Sequence, residues 1–169
     1  HIEVPGGASS LPETPLGVAK LALHLHNAVE LRAPGEKAVR AEVVAAGPFD
    51  LVVANDARAF PLAFAAAGDA PVLADMHEWA AEERATILVW RVLVGPYMEH
   101  LCKKYLPRAA AVTSVSSGLA GLYAERYGVS TEIVRNAADF QDLAASPVDP
   151  KRIQLVHSGT ADPERNIIE

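Results

Sequence analysis

Short apolar runs alternate with longer stretches of helical periodicity along this chain, and that alternation predicts βα units around a parallel sheet. Ile2–Val4 reads as a strand and Pro5–Pro15 as a turn-rich loop. Leu21, Leu25 and Val29 recur at four-residue intervals and predict one helix over Leu16–Leu31. Ala33-Pro34-Gly35 ends it, and a second helix covers Glu36–Ala46 before Gly47-Pro48. Asp50–Ala54 is apolar after its first residue, the pattern of a strand covered on both faces. A helix over Phe60–Ala67 ended by Gly68, a strand over Pro71–Asp75 and a helical region over Ala81–Leu106 follow, with Pro96 opening a second helix inside that region. Next come a strand over Ala110–Val115, a helix over Gly118–Tyr127 capped by Ser116-Ser117 and closed by Gly128, and a strand over Thr131–Arg135. Ala144–Pro150 has two prolines in four residues and reads as a linker. Beyond it, Ile153–His157 reads as a strand, Ser158-Gly159-Thr160 as a turn and Asn166–Glu169 as the first turn of a helix.

Composition narrows the classes. The 169 residues amount to about one average domain of roughly 150. Half of them are hydrophobic, enough for a packed core, and 31 alanines with only 6% aromatic residues favour helices packed closely on a sheet over a β-sandwich. The net charge of −6, with no run of Lys or Arg, lacks the broad attraction that carries nucleic-acid binding, so no nucleic-acid partner is expected. Cys102 is the only cysteine, which excludes an internal disulfide and any multi-cysteine metal site and suggests a reducing cytoplasm. Trp90-Arg91 and Gly95-Pro96 interrupt the most apolar region before it reaches the roughly 18 to 20 residues that a bilayer span needs. His1–Pro5 does not read as a signal peptide but as the middle of a longer chain.

Ligands of open α/β sheets bind outside the carboxyl ends of the strands. Here those ends carry Asn55-Asp56, then Asp75 to Trp79, then Ser114 and Ser116, then Arg135-Asn136. His77 stands out: its imidazole can exchange a proton or hydrogen-bond a sugar hydroxyl near neutral pH, and Asp75 and Glu78 can orient it or raise its pKa. A capping or core histidine is the plainer alternative. The zinc-protease spacing is excluded, because Ala81 stands where a second histidine is needed. His24 and His26, two apart in a predicted helix, point in different directions and read as separate surface or packing residues. Gly6-Gly7 reads as an ordinary loop, since neither glycine-rich phosphate motif is complete. Glu99 and Lys103 read as an exposed ion pair along a helix. Ser158-Gly159-Thr160 lies between a strand and a helix start, where backbone N–H groups can hold an anion and Arg165 can add a charged clamp.

In order, Pro48–Asp56, Pro71–Glu78, Glu99, Ala109–Ser116, Val134–Asp139 and Leu155–Asn166 resemble the corresponding motifs of the retaining glycosyltransferases with two facing Rossmann-like domains. This large group of GT-B architecture, group 1 or family 4-like, includes sucrose synthases and the mannosyl- and glucosyltransferases of cell envelopes. The resemblance implies an α/β fold, a doubly wound and mainly parallel Rossmann-like sheet. It further implies a partial acceptor domain over residues 1–148, and a linker with the first strand and turn of the donor domain over 149–169.

The implied reaction moves a sugar from a nucleotide-sugar donor to a glycan, lipid or small-molecule acceptor, with retention and without a cofactor or metal. On this resemblance His77 contacts the transferred sugar, while Asp56, Asp75, Glu78, Ser116 and Asn136 are candidate substrate-binding residues. Gly159 approaches the donor diphosphate and Arg165 neutralises it; Thr160 stands where the family usually has arginine, offering a hydrogen bond without a charge. A bacterial, cytoplasmic enzyme is implied, with peripheral contact at the inner membrane face. Trp90–Leu106 is a weak candidate for that contact and reads first as a helix packed on the sheet. Family members are about twice as long, so the remainder of its own chain is an expected partner, and these 169 residues alone are not expected to transfer sugar. A non-hydrolysing sugar-nucleotide epimerase and a noncatalytic Rossmann-like binding domain share this architecture and stand as alternatives.

Overall fold

A computed structural model of the chain describes residues 2, 3, 9, 11–144, 147, 150–152, 156 and 159. The chain divides into two compact units, His1–Asn136 and Ala137–Glu169. Every helix and strand among the described residues lies in the first unit. Four strands, β1 (Val52–Asn55), β2 (Val72–Met76), β3 (Ala111–Ser114) and β4 (Glu132–Ile133), form one parallel sheet in the order β1-β2-β3-β4. The fold is α/β and Rossmann-like, as the alternating pattern predicts.

The connections are α3 (Phe60–Ala67), α4 (Gly95–Tyr105) and α5 (Ser117–Tyr127). Each joins a strand to its immediate neighbour in the same direction across the sheet, and right-handed crossovers of that kind lay all three helices on one face. They form a continuous layer: Phe64 of α3 meets Tyr105 of α4 at 4.9 Å between ring centroids, and Glu99 of α4 binds Arg126 of α5 at 2.6 Å. Beneath that layer Ala54, Val72, Ala74, Met76, Val112 and Ser114 are buried, whereas Val53 on the opposite face is 49% exposed. The expectation that Asp50–Ala54 is covered on both faces is therefore corrected. Successive strand residues alternate between faces, and among the described residues only one face carries helices.

The long helix expected over Leu16–Leu31 breaks in two. α1 spans Pro15–Ala22, with the Thr14 hydroxyl accepting the Gly17 N–H at 3.1 Å; a 3₁₀ turn covers His26–Ala28. His24 and Leu31 adopt φ values of 55° and 57°, and these left-handed residues end the helical path on either side. The turn also brings the His24 and His26 rings to 5.3 Å, so the two histidines are neighbours, not the divergent pair that a continuous helix would give. Leu21 and Val29 keep their inward positions, but Leu25 is 52% exposed. α2 spans Pro34–Ala45 and begins at the residue expected to stop its predecessor. Proline suits a first turn, where its missing N–H costs nothing. The Glu36 carboxylate caps that end by accepting the Ala33 N–H at 3.3 Å, and burial pushes its pKa up to about 7.

Glu30 fastens the segment after α1 to α4. Its carboxylate accepts hydrogen bonds from Lys104 Nζ and the Tyr105 hydroxyl, both at 2.7 Å, and pairs with His100 Nε2 at 2.8 Å. Glu99 does more than form the expected exposed pair with Lys103 (2.9 Å): its side chain is 18% exposed and also engages Arg126 and the Tyr127 hydroxyl of α5. Pro71–Asp75, Ala110–Val115 and Thr131–Arg135 appear as β2, β3 and the two-residue β4, and Phe60–Ala67 matches α3. Ile2 and Glu3 lie in no strand; Val4, most of Ile153–His157 and all of Asn166–Glu169 lie outside the described residues.

Within Ala81–Leu106 the chain turns over residues 81–86, then helix begins at Leu88, loosens into a π turn over Trp90–Val94 and continues as α4. Gly95 sits where these segments cross, and a Cβ there would lie 2.7 Å from the Ala81 carbonyl oxygen. Gly95→Ala gains about 1 kcal/mol of helix propensity but meets a backbone atom that cannot move freely, a clash of about 1–3 kcal/mol. The expected outcome is a net loss of stability, read as a lower denaturation midpoint at unchanged m-value, whereas Gly121→Ala, with open space around its Cβ, is expected to stabilise.

Candidate active site

Parallel registration fixes the geometry at the carboxyl edge of the sheet. Asn55 lies beside Asp75, and Asp75 beside Thr113, so all three side chains share the face opposite the helices. The Thr113 hydroxyl donates to Asp75 Oδ1 at 2.6 Å, which leaves Oδ2 to hold His77 Nε2 at 2.9 Å. On the other side of β2 from β3, one residue past the end of β1, Asp56 Oδ1 accepts the His77 backbone N–H at 3.0 Å, while the Asp56 N–H donates to the Asp75 carbonyl at 2.9 Å. Asp56 makes these bonds with φ 60° and ψ 165°, a region that non-glycine residues avoid at a cost of about 1–3 kcal/mol. The strain is maintained by the bonds that lock Asp56 to the next strand.

The other ring nitrogen, Nδ1, lies 3.3 Å from the Asn136 amide nitrogen. An ionised Asp75 only accepts, so in the neutral imidazole Nε2 carries the proton and Nδ1 accepts from Asn136. The hydrogen bond to Asp75 raises the His77 pKa above 6.5, against a smaller opposing effect of burial, and the charges of Asp56 and Glu78 act in the same direction. Asp75 in turn falls below its ordinary 3.8, first through the Thr113 hydrogen bond and then through His77. The His77 side chain is 34% exposed, so it is both held and reachable.

The loop that follows is pinned from beneath. Tyr123 of α5 is fully buried; its hydroxyl donates to the Glu78 carbonyl at 2.6 Å and accepts the Ala80 N–H at 3.3 Å, and its ring lies 5.0 Å from that of Trp79. The Glu78 carboxylate makes no hydrogen bond among the described residues and acts on His77 through space.

Of the residues singled out in the sequence, Asp56, Asp75, His77 and Asn136 are thus joined in one hydrogen-bonded group, with Glu78 adjacent. Ser116 caps α5, its hydroxyl accepting the Leu119 N–H at 3.3 Å, and no hydrogen bond joins it to His77. Ser114 is turned by strand alternation onto the helix-covered face, where its buried hydroxyl has no partner among the described residues. Gly159 belongs to the second unit and has φ 148°, a backbone that favours glycine; Thr160 and Arg165 lie outside the described residues. Thr113 and Tyr123 were not singled out by sequence. Among the described residues no group of three or more His, Cys, Asp or Glu side chains is placed to hold a metal ion, and no helix is long and apolar enough to cross a membrane.

Residues 5–142 match the profile of a family described as Glycosyltransferase Family 4. No curated protein and no solved structure gives a match.

The opposite pKa shifts of His77 and Asp75 define the pH range of the pair. The raised histidine contributes stability below 6.5 that is lost as pH rises through its folded value; the lowered carboxylate contributes above 3.8 and loses it as pH falls through its own. The pair is at full strength between these two ordinary values. In an NMR titration His77 is expected to titrate above 6.5 in the wild type and to move down on Asp75→Asn; identical midpoints in the two proteins would exclude the pairing.

Proposed function

Because the chain belongs to glycosyltransferase family 4, we propose that it forms part of a retaining two-domain enzyme that moves a sugar from a nucleotide-sugar donor to a glycan, lipid or small-molecule acceptor. The observation that carries this reading is the Thr113–Asp75–His77 chain at the carboxyl edge of a parallel sheet, where ligands of such folds bind. Asp75 fixes the ring through Nε2, and Nδ1 is left to accept from a substrate hydroxyl in exchange for the exposed Asn136 amide. His77 then positions the transferred sugar, and substrate binding draws on Asp56, Asp75, Glu78 and Asn136, with Ser116 at the start of α5.

The acidic setting suits the chemistry. As the bond from the anomeric carbon to the leaving diphosphate lengthens, positive charge develops on the sugar, and Asp56, Asp75 and Glu78 surround His77 with carboxylates that favour it. The leaving diphosphate carries the opposite charge, which we assign to the Gly159 turn with Thr160 and Arg165. The nucleotide sugar is a substrate, and no step calls for a resident cofactor or metal. A cytoplasmic setting, where nucleotide sugars are at hand, completes the proposal.

Full-length enzyme supplied with a panel of nucleotide sugars is expected to release nucleotide and form a glycoside of retained anomeric configuration. His77→Ala is expected to lower kcat on the order of 10²–10⁴-fold while the protein remains folded. Turnover within a few-fold of wild type would remove His77 from the reaction.

A further inference from the structure

A cavity of about 670 Å³ lies where the loop after His77 meets the start of α4 and the last turn of α5. Trp79 and Glu82 of the loop, Arg91 of the π turn, Pro96 and Glu99 of α4 and Arg126 of α5 line it. None of Asp56, Asp75, His77 and Asn136 is among its lining residues. Asp75 and Thr113 lie on the helix-free face of the sheet, whereas this cavity belongs to the helix layer. It is therefore separate from the candidate active site, although Trp79 follows His77 by only two residues.

Trp79 is a fixed plate in this cavity. Its ring packs 5.0 Å from that of buried Tyr123 and 5.8 Å from that of Tyr127. The backbone on either side of it is tied down through Glu78 and Ala80, both bonded to the Tyr123 hydroxyl, so a ligand has little freedom left to remove. The charges around the plate balance. Glu82 and Glu99 supply two carboxylates and Arg91 and Arg126 two guanidiniums, a lining that favours neither an anion nor a cation. Glu99 and Arg126 bind one another, whereas Glu82 and Arg91 make no side-chain hydrogen bond or ion pair among the described residues. One pure acceptor and one pure donor are thus left over beside an aromatic face. A sugar hydroxyl both donates and accepts, so a neutral polyol satisfies the two together. A pyranose with equatorial hydroxyls also presents only C–H groups on its ring faces, and their slight positive charge suits the negative face of an indole. A nucleotide would stack on Trp79 as well, but its phosphates find no net positive charge here. The volume is within the range of about 300–1,000 Å³ usual for small-ligand sites.

We propose that this cavity is an accessory binding site for a neutral glycan of equatorial pyranose units, with Trp79 as its stacking platform and Glu82 and Arg91 as partners for the hydroxyls. The site holds glycan without taking part in transfer. It is independent of the sugar-transfer reading, since it uses none of the residues hydrogen-bonded to His77 and its test reads binding without turnover.

The chain has two tryptophans, and Trp90 is buried in the core, so the indole N–H signals of the wild-type protein in ¹H–¹⁵N NMR test the site directly. Titration with cellotetraose is expected to shift the Trp79 signal saturably, with Trp90 as the internal reference. Calorimetry with the same glycan reads the variants. Glu82→Ala with Arg91→Ala, which breaks no side-chain bond within the fold, is expected to weaken binding on the order of tenfold or more. Trp79→Ala is expected to abolish it, and Trp79→Phe, which keeps a ring against Tyr123, to restore part of it. His77→Ala is expected to bind cellotetraose as the wild type does. An unmoved Trp79 signal, or undiminished binding by the Glu82 and Arg91 variant, would overturn the proposal. Loss of binding in His77→Ala would overturn it by placing the glycan at the candidate active site. A Trp79 shift with uridine monophosphate and none with cellotetraose would overturn it too, by identifying a nucleotide as the occupant.

Discussion

The register between β2 and β3 is the constraint on which the candidate site depends. It sets Asp75 beside Thr113 on the helix-free face, and the hydroxyl takes one carboxylate oxygen. The other oxygen is then aimed at His77, two residues on and already past the end of the strand. A slip of one residue would turn Thr113 into the core and bring a buried position outward, breaking the relay and the packing together. The site therefore inherits its precision from the most rigid part of the fold, where Ala54, Ala74 and Val112 are closely covered.

The rest of the unit holds this edge in place from one side. α3, α4 and α5 are bound to one another by aromatic contacts and by Glu99, which reaches three partners on two helices. Burial raises the carboxylate pKa of Glu99, yet its hydrogen bonds to Tyr127, Lys103 and Arg126 bring it below the ordinary value, so it stays ionised. Tyr123 carries the same layer up to the loop after His77 by bridging Glu78 and Ala80. The strain at Asp56 persists because two strands restrain it at once.

Much of this was legible in the sequence where a local signal decides the outcome. Phe60–Ala67 with Gly68, and Ser116 with the Gly128 that adopts φ 69° after α5, are elements whose ends are written in their own residues. His77 and its acidic neighbours were legible because polar residues at strand ends are few and adjacent. The helix over Leu16–Leu31 was not, because its apolar period continues through His24 and Leu31, and nothing in the local pattern reveals the left-handed backbone at those two residues or the bonds that tie Glu30 to α4. Thr113 and Tyr123 were hidden for a related reason: one matters through strand register and the other through helix packing, both set by residues 38 to 45 positions away. The Glu99 network was half visible, since the i,i+4 partner is local and Arg126 is not.

The claim that Thr113 and Asp75 orient His77 fixes where the imidazole proton resides. Long-range ¹H–¹⁵N NMR of the histidine rings, at a pH above the His77 titration, reads this tautomer directly. The account predicts a single Nε2–H form for His77, with Nδ1 unprotonated, and a shift toward a tautomer mixture on Thr113→Val. A wild-type spectrum showing the Nδ1–H form, or the free-imidazole mixture, would contradict it.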